Sequence, residues 1–561
     1  MAFVLIDSSN LKPALDGFCK LLAALTGPQG HLCLLVSPVD SFTLTSSSCR
    51  IIANLPIGSP ILQFALQCIK SQIDRYRDNG LYCGILLSKL MIHLIDCSFP
   101  VPASCSILAT LGLYLQSELQ NSAELRLKVN LDSVQPFVSI AKSILFSKCS
   151  VFEGKGGESI ALANKQATLL VRAFLHAEAN VGNVLLSIND KCNHQCLLPG
   201  VLYPCTDGEQ VVLAGGSWRS VPILLFSVML TDRLDCNEKE IPGVELVDRG
   251  KAHLEAAEMF IDKAVSSGIR IIACQKVVHP SLLLKLKRKG VLVLQRLGKQ
   301  MTNSLEMISG ATRVSSLNTS FIESLSKLKG CLENVQQFEE TDGEFILLEG
   351  PSNSGICSLL LTSRALGQGA ELKAVAQQVL AALNQVLQDA VVLPGAGCTE
   401  VYLCSFLSQQ VQQHREKICA REKCSVLHIN TVLKWLQEGL MLSSGLNCSS
   451  GNLSVDSVYH HAWKGSGEIN SIVDTCKCNC GLISSVDIKN SNGAWTIVSL
   501  NQSGPVFSDS HSHAQAQPFT PSPSGLCDVV LDVCSTKKSA IAIALDGCIA
   551  ISNIGAIVTK S

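Results

Sequence analysis

Glycine turns that adjoin helices expose backbone amides that can cradle phosphate oxygens. This sequence has two such turns, Gly27-Pro28-Gln29-Gly30 after a helical segment and Gly395-Ala396-Gly397 before one. A third turn, Asp78-Asn79-Gly80, offers a carboxylate that could reach magnesium. Each is equally an ordinary turn or helix start, so none carries a function alone. Cys476, Cys478 and Cys480 are spaced closely enough to share a zinc, but a second pair is missing. Cys419 and Cys424 are too far apart for a CxxC knuckle and no HxxxH follows, so we read ordinary reduced thiols and expect no metal. His511 and His513 stand in a low-complexity stretch, and two imidazoles alone rarely hold a metal. The basic run Lys285, Lys287, Arg288 and Lys289 ends a helical segment, where cations complement the helix dipole, and reads as a solvated helix end. An enzyme using the strand Ile269 to Cys274 for a dinucleotide would need GxGxxG next, and Gln275-Lys276 stand there instead.

The elements that must position these residues fall into two kinds. Leu11 to Leu25, Ile61 to Ile73, Cys83 to Ile95 and Ser104 to Glu118 repeat apolar residues at three- and four-residue spacing, which predicts a helical layer. From Gly200 to about Ala365 the pattern changes. IRIIAC is strand-like, Pro280 opens a helix ending near Lys289, Gly290 fits its cap, and VLVLQR is a second buried strand. Phe345 to Glu349 and Ile356 to Leu361 flank PSNSG as a hairpin-like or looped pair. Helix then returns with Glu371 to Leu387 and continues after Thr399 and Ile429. An α/β domain inserted into a helical one is the simplest architecture for such a return, with two connecting passages between them.

The chain has 561 residues, enough for several domains, and its 45 basic against 46 acidic residues leave a net charge of −1. No basic excess exists for nucleic acid or an anionic membrane. Charged residues are only 16%, against about 25% in typical soluble domains, so part of the surface is expected to be covered by a partner. The 26 cysteines lie scattered in apolar segments and the opening residues lack a secretory pattern, which suggests a reducing cytosol. VPILLFSVML is too short to span a bilayer and reads as a buried strand. Ala540 to Val558 contains Asp546 and Asn553 and reads as a buried helix, so no membrane insertion is expected. Residues 501–525, rich in Ser, Pro and His, read as an exposed loop.

Taken in order, these pieces resemble the group II chaperonins, the subunits of the cytosolic ring chaperonin and the archaeal thermosome. Gly27-Pro28-Gln29-Gly30 looks like the family's GPKG turn, Ser143 to Lys148 like TSLSSK, and Val392 to Glu400 like VPGGGAxE. The stretch from Ala273 to Ala311 follows the family's apical pattern, matching at Gln275, Lys276, Gly290, Arg296, Gly310 and Ala311. Asp532 to Val558 is similar to the closing equatorial helix and edge strand.

The resemblance implies a multidomain α+β fold, the group II chaperonin subunit fold. A helical equatorial domain would occupy 1–135 and 406–561, a small intermediate domain 136–195 and 366–405, and an inserted α/β apical domain 196–365. It also implies a nucleotide site, for which Gly27, Pro28, Gly30, Asp78, Gly80, Gly395 and Gly397 are the vestigial cofactor-binding positions. The family's catalytic pattern is broken. Its NDG position reads Ser46-Ser47-Ser48-Cys49, its GDGTT position reads Asp78-Asn79-Gly80-Leu81-Tyr82, and its helical Asp falls on Ala381. We therefore expect no ATPase activity and no required cofactor, with ATP and magnesium binding still possible. The leading alternative is an ATP-hydrolysing subunit of a cytosolic ring chaperonin.

The CQKVVHPSL signature, the cysteine-rich composition and the short length look like a chaperonin-like branch of the family. That likeness implies work with other chaperonin-like subunits and the cytosolic ring chaperonin, and BBSome subunits as clients in the cytoplasm and at the centrosome or basal body of the cilium. Leu234 to Asp248, broken by Pro242 and Gly243, is too short for a competent lid. Few residues precede Gly27, so the family's N-terminal arm looks almost missing and Ile554 to Val558 looks open to a partner's arm. This favours a hetero-oligomer over a closed homomeric ring.

Overall fold

The computed structural model describes most of residues 2–445 and 530–559, with the strands His461–Lys464 and Trp495–Val498 between them. Cys476, Cys478, Cys480, His511, His513, the stretch 501–525 and nearly all of the candidate lid lie outside the described residues. The chain divides into two compact units, Met1–Val171 with Ala370–Ser561, and Arg172–Gly369. Of the segments expected as intermediate pieces, 136–195 and 366–405, residues 136–171 and 370–405 fall in the first unit and 172–195 and 366–369 in the second.

The first unit opens with strand β1 (Ala2–Leu5), helix α1 (Ser8–Ala24) and the hairpin β2 (Cys33–Val36) and β3 (Phe42–Thr45). Helices α2 (Ser48–Ala53), α3 (Pro60–Tyr76), α4 (Gly80–Ile95) and α5 (Val101–Asn121) follow, then β4 (Leu127–Lys128), α6 (Gln135–Phe146) and α7 (Gly157–His176). The sequence GLYCGILLSKLMIHLI is apolar on every side, which suits a helix enclosed by others. Every residue of α4 from Gly80 to Ser88 is indeed buried. α3 starts with Pro60 in its first turn and ends on Arg77 in the left-handed conformation, which delivers the chain to Asp78.

The second unit carries β5 (Val184–Asn189), β6 (Cys196–Pro199), β7 (Val201–Pro204), β8 (Ser217–Phe226), α8 (Leu246–Ser266), β9 (Ile271–Cys274), α9 (Pro280–Arg288) and β10 (Leu292–Leu294). It closes with α10 (Gly298–Ser309), α11 (Leu325–Leu328), β11 (Gly330–Gln337), β12 (Phe345–Glu349) and β13 (Cys357–Thr362). β10, β9 and β8 run parallel, with α9 as the crossover between β9 and β10, as the apolar pattern predicts. Antiparallel β11, β12 and β7 extend the same six-stranded sheet. Alternate residues feed opposite cores: Ile223, Leu225, Ile271 and Ala273 on one face, Leu224, Phe226, Ile272 and Cys274 on the other. The two strands flanking PSNSG are looped and form no hairpin. β12 is held between β11 and β7, and β13 between β5 and β6, so neither has an edge left for the other.

After the second unit come α12 (Gly369–Asp389), β14 (Val391–Pro394), α13 (Cys398–Glu422), α14 (Val426–Ser443), β15 (His461–Lys464), β16 (Trp495–Val498), β17 (Leu531–Val533), α15 (Cys534–Ser552) and β18 (Ala556–Thr559). One sequence expectation is overturned at the C-terminal edge. β1 pairs antiparallel with β18, Val4 opposite Ile557, so one flank of that strand is taken by the chain's own N-terminal segment. The stretch Ala540 to Val558, expected as one buried helix, is helical only as far as Ser552 and then enters β18, and no helix among the described residues is long and apolar enough to cross a membrane. The basic end of α9 is less free than its sequence suggests. Asp262 of α8 takes Lys285 at 2.8 Å and Lys289 at 2.7 Å. Cys274 and Cys357 are free thiols, and burial pushes the first up to about 11 and the second up to about 12.

Gly290 follows the end of α9 with a φ of 68°. A side chain there would meet open space, so its cost is conformational. Gly290→Val is expected to lower unfolding stability of the full chain by about 1–2 kcal/mol or more, and Gly290→Asn by less, as measured by urea denaturation.

Candidate nucleotide site

The turn from α3 into α4 sets the floor. Asn79 caps α4 with a φ of 58°, leaving Asp78 partly accessible just ahead of it. Asp78 Oδ1 accepts hydrogen bonds from its neighbour's backbone N–H at 2.7 Å and from Gln378 Nε2 at 2.7 Å. Burial raises its pKa, an effect opposed by the Asn79 N–H, the Lys148 charge and Gln378. Asn79 Nδ2 donates to Thr536 Oγ1 at 3.1 Å, and Gln72 Nε2 donates to the Thr536 carbonyl at 3.0 Å. These bonds fix the turn against the first residues of α15.

A small sheet builds the opposite wall. β14 pairs with β17, Leu393 opposite Asp532, and Gly395 then turns the chain toward α13. A Cβ at Gly395 would stand 2.7 Å from Val530 Cγ1, and Gly397 takes a φ of 80° as the residue capping α13. Glu400, one turn into that helix and fully buried, accepts from Lys537 Nζ at 2.6 Å. Asp532 accepts from the same ammonium at 2.6 Å, and the ammonium lies 5.0 Å from the centre of the Tyr82 ring. Burial works against the charged lysine, yet Asp532 and Glu400 outweigh it and its pKa is raised. Leu81 and Tyr82, the residues standing where hydroxyls would serve phosphate, are buried in the floor.

The third wall is α12. Glu371, Gln378 and Ala381 fall on one helical face by spacing. Gln378 reaches Asp78, half-buried Ala381 has no group to offer, and Glu371 reaches the turn between β3 and α2. Lys148, just after α6, donates to the Ser46 carbonyl at 3.4 Å.

Of the sequence-predicted positions, Asp78, Gly80, Gly395 and Gly397 belong to connected walls, and Pro28 lies outside the described residues. Gly27 and Gly30 serve packing. Gly27 has a φ of 85°, and a Cβ on it would come within 2.4 Å of the Gly445 carbonyl oxygen. At Gly30 a Cβ would meet the Leu25 carbonyl carbon at 2.8 Å, and at Gly80 it would meet Ile73 at 2.7 Å and Ser48 at 2.9 Å. Sequence reasoning missed Glu371, Gln378 and Lys537. The acid in the first turn of α12 was visible, but its partners lie 325 residues away.

A model of the TCP-1/cpn60 chaperonin family matches residues 19–475. The chain belongs to this family. It is similar to the mouse protein named molecular chaperone MKKS, with 25% identity over 496 residues and 86% of each chain covered. The human protein of that name is 23% identical over 502 residues, again covering 86% of each chain. Thermosome subunit alpha of Methanothermobacter thermautotrophicus is 20% identical over 434 residues, 75% of this chain and 76% of its own. A solved group III chaperonin in the open state shares the fold, with a TM-score of 0.61, 14% identity and 98% of both chains covered. This chaperonin chain thus has the multidomain α+β fold that its motifs imply, with Leu81, Tyr82 and Ala381 at positions the resemblance assigns to a nucleotide site.

Those positions do not fit a hydrolytic magnesium–nucleotide centre. Asp78 is already bonded by an amide and a carboxamide, a carboxamide cannot act as a base, and Ala381 cannot orient water. Lys537→Met should cost about 3–5 kcal/mol in urea unfolding, because it leaves Glu400 charged and unpaired in the interior. Adding Glu400→Gln should recover part of that loss. Asp78→Asn should be neutral or slightly stabilising at pH 7. A carboxyl whose folded pKa is raised costs stability above that pKa, so the advantage of the variant should fade in acid.

Proposed function

We propose that this chain is a chaperonin-like protein without ATP turnover. It assists the folding and assembly of a ciliary protein complex, the BBSome, together with other chaperonin-like subunits and the cytosolic ring chaperonin. Its place of work on this reading is the cytoplasm, at the centrosome and the basal body of the cilium. The observation that carries the proposed loss of turnover is that Gln378 of α12 bonds Asp78, and the resemblance puts Ala381 where the family has its helical Asp. The client assignment is supported by likeness to the proteins named molecular chaperone MKKS and by the low charge content, which suits a surface covered by partners.

The second reading, an ATP-hydrolysing ring subunit, draws on the retained Asp78 and the retained glycines. Local backbone geometry and close packing account for those glycines without a nucleotide. Loss of the helical Asp and of the carboxylate at Ser46–Cys49 should lower any turnover by several powers of ten.

Purified full-length protein is expected to show no magnesium-dependent ATP hydrolysis above a heat-killed control, and the endogenous protein from ciliated cells is expected to co-purify with chaperonin-like subunits. A rate abolished by Asp78→Ala would overturn the first statement. A lone monomer in those cells would overturn the second.

A further inference from the structure

The Glu371 carboxylate is only 1% exposed, yet its charge is met by a complete set of donors. Oε1 accepts from the Ser46 backbone N–H at 2.8 Å and from Ser46 Oγ at 2.7 Å, and Oε2 accepts from Thr45 Oγ1 at 2.5 Å. Thr45 and Ser46 are themselves buried, and the Ser47 N–H donates to Thr45 Oγ1 at 3.1 Å, which aims that hydroxyl's own proton at the carboxylate. The turn between β3 and α2 is therefore a ready-made receptor for an oxyanion, and the occupant is part of the chain. Charge-assisted bonds of this kind are the stronger ones, and separating them would strand a buried carboxylate.

The same helix is tied down further along. Gln377 Oε1 accepts from Arg77 Nη1 at 2.9 Å, and Gln378 donates to Asp78 at 2.7 Å. α12 is thus fastened by side-chain bonds at its first turn to the Thr45–Ser48 turn and in its middle to the Arg77–Asp78 turn.

We propose that Glu371 is an internal ligand that latches α12 onto the Thr45–Ser48 turn and holds the site closed to phosphate in the absence of nucleotide. The inference deepens the inactive reading given above and rests on it for its biological sense. It makes a separate physical claim, that the oxyanion receptor is intact and occupied.

The test uses the full-length chain. Glu371→Ala is expected to raise hydrogen exchange of the 45–53 backbone about tenfold and to admit inorganic phosphate or fluorescent ATP, while wild type binds neither at about 1 mM. Glu371→Gln keeps the shape but loses the charge, and should fall between the two. If Glu371→Ala does not fold, Thr45→Val removes one donor and should still raise exchange in that segment. Unchanged exchange in every folded variant would overturn the latch, as would wild type binding phosphate as well as Glu371→Ala. Detectable turnover by wild type would sink the inactive reading and the closed site together, whereas unchanged exchange in the folded variants with no wild-type turnover would sink the latch alone.

Discussion

The Lys537 ammonium lies 2.6 Å from both Glu400 and Asp532, with the lysine and Glu400 buried and Asp532 partly exposed, and two distant parts of the chain, 532–537 and α13, must arrive together for it to be charged there. α15 brings the lysine, α13 brings Glu400, and β17 brings Asp532. Because a buried ion without partners is so unfavourable, this cluster specifies how the last helix meets the β14 turn. Thr536, one residue earlier, then receives Asn79 and Gln72, so the same arrangement positions the floor that carries Asp78.

That dependence separates what the fold requires from what a nucleotide site would require. The groups that packing requires are the glycines at tight turns and the ions that satisfy each other. Gly27 is held by the approach of the Gly445 backbone, and Gly395 by Val530. A side chain whose only task is to orient water or hold a metal has no such support and can be replaced without loss of the core. Glu371 and Gln378 add side-chain bonds that tie α12 to the Ser46 and Asp78 turns.

Much of the fold was legible in the sequence for a plain reason: long amphipathic or wholly apolar helices and buried strands carry their own periodicity. α3, α4 and α5, the run Val221 to Phe226, and the β9–α9–β10 unit could be read locally, and Gly290 marked the end of α9 through its own backbone requirement. The candidate site was legible only in part. Asp78 and the glycine turns stood out as motifs, whereas the bonds that decide what Asp78 can do come from Gln378, 300 residues away. The β1–β18 pair was missed because four-residue strands at opposite ends of the chain show no pattern until they meet. The relation of β12 to β13 was equally unreadable, since strand partners are chosen by the whole sheet.

The central claim is that this scaffold closes its nucleotide site with its own side chains and does not depend on nucleotide for stability. Thermal unfolding of the full-length protein with and without a large excess of ATP and magnesium measures this directly, because any ligand bound only by the folded state raises Tm by mass action. The account predicts the same Tm in both conditions. A rise of several degrees that requires both ATP and magnesium would contradict it.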